Sequence, residues 1–375
     1  MKHVKKLLFL NILKMPLNNI VVISAAGSRK TTYIVEEALS HQDKKILILT
    51  YTIDNIEQIK KYFIERNGMI PSNVRVQSWF AFLLQECARP YQNTLYDKKR
   101  IETICFVQGK SAQYIKKTDT DHYYFANANR IYTDKISDFA CGCDKQSGGL
   151  VIKRLENIFD HIFIDEVQDL AGYDFEFLEL LFNSTIAITV VGDNRQATYI
   201  TNYSPKNAQF KGKNIIDLFK LWEQNGLCKI EERNECYRCN QTICDFADAL
   251  YPDMTKTVSK QLTVTNHEGL FIVRKNDVEE YIHTYNPRLL RYMVSKETAH
   301  LNALNFGLSK GQTFDRVLIF PTKPIKEYLI DGDLTKVGDK SKFYVAVTRA
   351  RYSVAFIHEE QCFNEQVQLF EPNEL

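Results

Sequence analysis

His161-Ile162-Phe163-Ile164-Asp165-Glu166-Val167-Gln168-Asp169 is the stretch on which the reading of the fold turns. An apolar run the length of a short strand ends abruptly in adjacent carboxylates. One carboxylate at a strand tip can hold Mg²⁺ while its neighbour polarises a water, a division that needs two acids aimed at one metal–phosphate centre. A surface-loop reading of Asp165-Glu166 is poor here. The preceding strand would be buried, and its tip lies where α/β sheets bind ligands.

Working outward, Ile186–Val191 reads as a second buried strand ending in Gly192-Asp193-Asn194-Arg195-Gln196, with a helix over Tyr173–Phe182 between the two. Gln196 is placed to sense a γ-phosphate or orient a water. Upstream, strands at Ile20–Ile23, Ile46–Leu49 and Val74–Val76 alternate with helices at Lys30–Leu39, Asp54–Arg66 and Ser78–Glu86. This rhythm predicts an α/β fold with a parallel sheet and helices on both faces. Tyr91–Arg154 breaks it and reads as a small, mostly helical insertion. Lys98–Arg154 holds eleven Lys/Arg against six Asp/Glu, interleaved with Tyr114, Tyr123, Tyr124, Phe125 and Tyr132. Cations and rings together suit a nucleic-acid single strand, whereas rings alone would form the insertion's own core. Both readings stay open. A second alternating unit starts near residue 235, with helices near Gln241–Tyr251 and Lys342–Arg349 and strands at Leu270–Val273, Arg316–Phe320 and Tyr352–Ile357. The expected division is 1–235, with the insertion at about 91–154, and 236–375.

The first strand runs into Ser24-Ala25-Ala26-Gly27-Ser28-Arg29-Lys30-Thr31-Thr32 and then a helix. That is the setting of a P-loop, where backbone N–H groups and a helix N-terminus cradle phosphates. Lys30 would reach the β- and γ-phosphates of ATP, and the Thr31 hydroxyl would ligate Mg²⁺. Ala25 and Arg29 stand where such loops carry glycine. A non-glycine residue held at positive φ costs about 1–3 kcal/mol, so the loop is either shaped differently or binds phosphate less tightly.

Composition narrows the setting. The 375 residues are 45% hydrophobic and 25% charged, with a formal charge of +2, which excludes a general polycation. Nine scattered cysteines in so long a chain read as reduced thiols in a cytoplasmic protein. Cys236, Cys239 and Cys244, with Cys141 and Cys143, could supply zinc ligands. Chance spacing is the stronger reading, since neither group sits in a knuckle. Lys2, Lys5 and Lys6 before Leu7–Leu10 faintly suggest a signal peptide, but Asn11 and Lys14 break the run, so an amphipathic segment is expected there. No run reaches the roughly 18 apolar residues of a membrane span.

Taken in order, these segments resemble the UvrD/Rep-like superfamily 1 helicases. The family's Asp-Glu-x-Gln-Asp stands at Asp165–Asp169, its Gly-Asp-x-x-Gln at Gly192–Gln196, and its last motif at Tyr344-Val345-Ala346-Val347-Thr348-Arg349-Ala350. Thr50–Asn55 and Val76–Phe80 resemble its strand-binding segments. Glu235-Cys236-Tyr237-Arg238 resembles its Asn-Tyr-Arg, and Ser309–Asp315 its Lys-Gly-Leu-Glu-Phe-Asp, with Thr313 in place of the glutamate that contacts the nucleotide sugar. The resemblance implies two RecA-like domains clamping ATP and Mg²⁺. Gly27, Ser28, Lys30, Thr31, Thr32 and Asp165 would bind the nucleotide, with Thr31 and Asp165 on the metal. Glu166, Gln196, Arg238 and Arg349 would serve hydrolysis. Thr50, Tyr51, Trp79 and Tyr199 would contact single-stranded DNA or a tailed duplex, with 3′-to-5′ movement, in a defence or repair setting. Thr201 takes the place of a tryptophan that the family carries after the tyrosine. About fifty residues separate the Arg238 helix from the Lys310 motif, so the family's large second-domain insertion has no counterpart. No glutamine precedes the first strand to read adenine. The rival reading is a nucleotide-gated, DNA-sensing regulatory subunit that controls a partner nuclease.

Overall fold

In the computed structural model, residues 18–296 and 298–372 are described. The amino-terminal segment expected to be amphipathic lies outside them. Two six-stranded sheets carry the fold. In spatial order the first runs Val74–Ser78, Ile46–Thr50, His161–Ile164, Ala187–Gly192, Ile20–Ser24, Lys229–Arg233. Every neighbouring pair is parallel. His161–Ile164 pairs on one side with Ile46–Leu49 and on the other with Ala187–Val190. All four of its residues are therefore buried, and the carboxylates that follow emerge at the carboxyl edge. Helices Lys30–Ser40 and Ile53–Asn67 cover one face through Ile34, Val35, Ile59 and Phe63, and Tyr173–Phe182 and Ile215–Gln224 help to cover the other.

The second sheet runs Leu304–Asn305, Arg288–Arg291, Phe314–Phe320, Ala350–Ile357, Gly269–Val273, Val367–Leu369, again parallel throughout. Its core includes Ile243, Phe246, Leu290, Ile319, Phe343 and Phe356. Ala26, from the phosphate loop of the first unit, is buried in that core as well. The two halves are thus in direct contact behind the loop.

The insertion contains helices Thr120–Tyr124 and Ile136–Gln146, with Leu150–Ile158 closing it. It also holds a three-stranded ribbon, in the order Thr103–Cys105, Arg130–Tyr132, Phe125–Asn127, where a mostly helical segment is expected from the sequence. Ile136, Phe139, Ala140, Val151 and Leu155 belong to the first core, so the second half of the insertion is part of that unit's packing. The helix expected at Ser78–Glu86 is one α-turn, Trp79–Phe82, continuing as a π-helix over Leu83–Ala88.

The cysteines divide between the two cores. Cys143 lies in the first, and Cys236, Cys239 and Cys244 are buried in the second. Among the described residues no group of three or more His, Cys, Asp or Glu is arranged to hold a metal ion. No described helix is long and apolar enough to cross a membrane.

Candidate nucleotide cleft and strand-facing surface

The phosphate loop fits between the halves because of what stands at two positions. Gly27 has φ +72°, and a Cβ there would come within 2.8 Å of Arg238 Cβ and 2.9 Å of Cys236 Sγ. Only glycine permits that conformation and that approach of the second half. Of Ala25 and Arg29, the two residues standing where such loops carry glycine, Arg29 alone is left-handed, at φ 61°. Its guanidinium lies 3.9 Å from the centroid of the Tyr237 ring, an attraction that offsets part of the backbone strain. The Tyr237 amide donates to Gly27 O at 2.9 Å, so the two halves share a backbone hydrogen bond at the loop.

A cavity of about 290 Å³ opens in front of the loop. Gly27, Ser28, Lys30, Thr31, Thr32, Asp165, Glu166, Gln196, Arg238 and Arg349 all line it. The structure brings together every residue proposed for nucleotide and metal. Tyr237 and Arg29 line it too, although nothing in the sequence gives either a role there. The Ser28 hydroxyl is buried without a hydrogen-bond partner, as expected of a group that serves a ligand oxygen. Thr31 Oγ1 donates to Asp165 Oδ2 at 3.3 Å, which sets two hard oxygen donors side by side and fits a small divalent cation.

The charges here are set by burial and by partners. Burial, with Glu166 beside it, pushes Asp165 well above the usual carboxylate range. Burial would push Glu166 up as well, but Lys310 and Lys30 outweigh it and hold this carboxyl low. Lys310 comes from the second half, is almost fully enclosed, and sits 3.2 Å from Glu166 Oε2 and 2.8 Å from Asp169 Oδ2. Burial disfavours its ammonium, and Asp169 and Glu166 more than compensate, raising its pKa. Its membership of the Ser309–Asp315 pattern is the only hint the sequence holds; nothing local shows that Lys310 lands on the acidic motif.

Gln196 bridges the halves. Its Nε2 donates to Asp193 Oδ2 at 2.7 Å, and its Oε1 accepts from Arg349 Nη2 at 3.1 Å. Arg349 is 1% exposed, and burial together with Arg238 pulls its pKa down to about 9. Neither guanidinium makes an ion pair among the described residues, and a triphosphate would supply one. Gly192 lets Gln168 close on this corner, since a Cβ there would lie 2.5 Å from Gln168 Oε1. Arg195 adds a second bridge. It holds Asp193 at 3.2 Å and reaches Asp248 of the second half at 2.9 Å, and all three side chains are buried.

The residues expected to face a strand separate into different roles. Tyr199 is 41% exposed, with its hydroxyl 3.3 Å from Gly307 O and Lys310 Nζ 5.7 Å from its ring centroid. Tyr51 is half-buried, with its ring edge against Phe80. Trp79 is a correction: it is 1% exposed, and its indole N–H donates to Asp174 Oδ1 at 2.9 Å. The same carboxylate accepts from Ser137 and from the Thr201 hydroxyl, so Thr201 serves the core where the family's tryptophan would stand. Thr50 is a second correction. Its side chain is buried, and its Oγ1 accepts from Asn55 Nδ2 at 3.2 Å, a contact that positions the start of the next helix. Among the insertion's rings, Tyr124 and Phe125 are core, whereas Tyr114 is exposed and Tyr123 half-buried.

Comparisons with known proteins bear on the family of the chain. The chain is 26% identical over 125 residues to a probable DNA helicase II homolog of Mycoplasma capricolum subsp. capricolum, a match covering 33% of this chain and 16% of that protein. It is also similar to solved arterivirus nonstructural protein 10 helicases. The crystal structure of one is matched at 13% identity and a TM-score of 0.46, over 92% of this chain and 60% of that one. A complex with DNA is matched at the same identity and TM-score, over 94% and 63%. The chain thus spans less than two thirds of the length of these relatives. Residues 109–358, from within the insertion through the Arg349 strand, match the viral superfamily 1 RNA helicase core domain. That match is two thirds of the chain and includes the acidic motif, Gln196, Arg238, Lys310 and Arg349, so this protein belongs to the superfamily 1 helicase family.

Proposed function

We propose that this chain is an ATP-driven translocase on single-stranded nucleic acid, with RecA-like units at 1–235 and 236–375 that close on one nucleotide. The single observation that carries the reading is the shared cavity. It has lysine and carboxylates on one wall and Arg238 and Arg349 on the other, joined through Gln196. Gly27, Ser28, Lys30 and Thr32 would cradle the phosphates. Thr31 and Asp165 would hold Mg²⁺, which when bound neutralises phosphate charge. Glu166 would accept the proton of the attacking water. Arg238 and Arg349 would stabilise charge that develops in the transition state. Gln196 reports the γ-phosphate to the strand-facing side, where Tyr199 would stack a base and Tyr51 would support it. Resemblance supports DNA as the strand and 3′-to-5′ as the direction.

Lys310 supports strand-gated hydrolysis. It pins the general base in the closed form while its own segment leans on Tyr199 through Gly307. A strand seated at Tyr199 would shift that segment and free Glu166. The same contact favours, as second reading, a nucleotide-gated sensor that controls a partner nuclease; unwinding of a tailed duplex by the purified chain alone would exclude it. The test of the main reading is ATPase activity with and without oligonucleotide, in wild type and Glu166→Gln. Strand-stimulated turnover should fall at least about a hundredfold in the variant. Equal rates in the two proteins would end the motor reading.

A further inference from the structure

Apart from the nucleotide cleft, a pocket of about 480 Å³ lies between the insertion and the loop that follows Tyr199. Lys110, Tyr123, Lys135, Tyr173 and Lys206 are among its walls. Lys135 is 6% exposed, yet its ammonium makes no hydrogen bond among the described residues. Asp134 Oδ2 stands 4.0 Å away, an ion pair at its outer limit and too long for a hydrogen bond. Both oxygens of Asp134 are already engaged by Ser111, its amide at 3.0 Å and its hydroxyl at 2.6 Å. The other carboxylate on the wall, Asp138, is taken by Lys117 and by the Tyr124 hydroxyl. Lys135 instead lies 4.1 Å from the centroid of the Tyr123 ring. Burial lowers its pKa, with Asp134 and Asp138 opposing the shift and Lys110 and Lys117 adding to it. Lys206 pairs with Glu176 at 3.1 Å, and Lys110 is exposed without an ion pair among the described residues. An ammonium packed on an aromatic ring, with Asp134 only at the outer limit of an ion pair and no hydrogen bond among the described residues, is one that an anion can complete.

We propose that this pocket binds a phosphate of the single-strand backbone, one step beyond the base stacked on Tyr199. Ser204, Pro205 and Lys206 form one rim and follow Tyr199 closely in the chain, which puts the pocket on the loop that carries that tyrosine. Lys135 supplies the fixed cation, Lys110 and Lys206 close from the rim, and the half-buried rings of Tyr123 and Tyr173 keep the site partly dry. The inference rests on the strand-binding reading above and adds to it a second anchor, contributed by the insertion.

The test uses the full chain and a fluorescein-labelled oligothymidylate, titrated at several salt concentrations. Lys135→Gln and the rim pair Lys110→Ala/Lys206→Ala should each weaken binding about fivefold near 0.1 M salt. Each should also lower the slope of log K against log salt by about 0.7 for every phosphate that is no longer neutralised. Strand-free ATPase and the KM for ATP should not change. The rim pair decides the matter if Lys135→Gln fails to fold. Tyr199→Ala is the control. If it weakens binding while the lysine variants keep wild-type affinity and slope, the pocket assignment is overturned alone. If wild type binds no oligonucleotide, the strand reading and the pocket fall together. A raised KM for ATP with unchanged strand affinity would show a nucleotide phosphate in the pocket and overturn the assignment to the strand.

Discussion

Lys310 and Glu166 show how one cross-cleft pair governs the chemistry proposed here. Glu166 must be ionised to accept a proton, and its low pKa owes most to Lys310. Removing that cation raises the folded-state pKa, so the form that accepts protons is lost at a higher pH. In Lys310→Met the acid limb of the kcat/KM profile should therefore move upward in pH, while hydrolysis becomes less dependent on oligonucleotide. An acid limb that stays in place would contradict the assignment. Tyr199 and Trp79 form a contrasting pair. Tyr199→Ala should weaken oligonucleotide binding by about 1–3 kcal/mol, the worth of a stacked base. Trp79→Phe keeps an aromatic side chain but gives up volume and deprives the buried Asp174 of one donor. It should lower stability by about 1–3 kcal/mol and leave strand affinity unchanged. Thermal unfolding and fluorescence anisotropy separate these outcomes.

At the scale of elements, the parallel strands of the first sheet are legible in the sequence because each is a short β-branched run between turn residues, and the acidic motif marks which edge carries ligands. Lys229–Arg233 is not legible. Its sequence, Lys-Ile-Glu-Glu-Arg, is polar, and it becomes a strand through pairing with Ile20–Ser24 at the sheet edge. The ribbon of the insertion is hidden for a related reason: three-residue strands carry no period. Tyr124 and Phe125 look like stacking rings because composition cannot tell a half-buried ring from a core one. Asp248 belongs to the same class. It sits in the Gln241–Ala249 helix as one of two acids, and only tertiary contact makes it the partner of Arg195. Asp248→Ala leaves a largely buried guanidinium with Asp193 alone. It should cost about 3 kcal/mol and loosen the cleft, seen as a lower Tm and a weaker response of ATPase to strand. A wild-type Tm would show that this bridge does not hold the halves.

Across the whole molecule, the two sheets are joined at the cleft by specific contacts. Among them are the Tyr237 amide on Gly27, Arg349 on Gln196, Lys310 on the acidic motif and Arg195 on Asp248. The ordered motifs foretell which residues meet; their spacing cannot foretell that Lys310 pairs with Glu166, or that Trp79 and Thr50 turn inward. On the proposed reading, the response to nucleotide and strand would lie in the relative position of the two sheets. The central claim is that the second half supplies cations to a triphosphate held by the first. It is tested most directly by measuring ATP binding and strand-stimulated hydrolysis side by side in Arg349→Ala. The account predicts Mg²⁺-dependent ATP binding within about tenfold of wild type and hydrolysis reduced by about a thousandfold or more. Hydrolysis at the wild-type rate in that variant would contradict it.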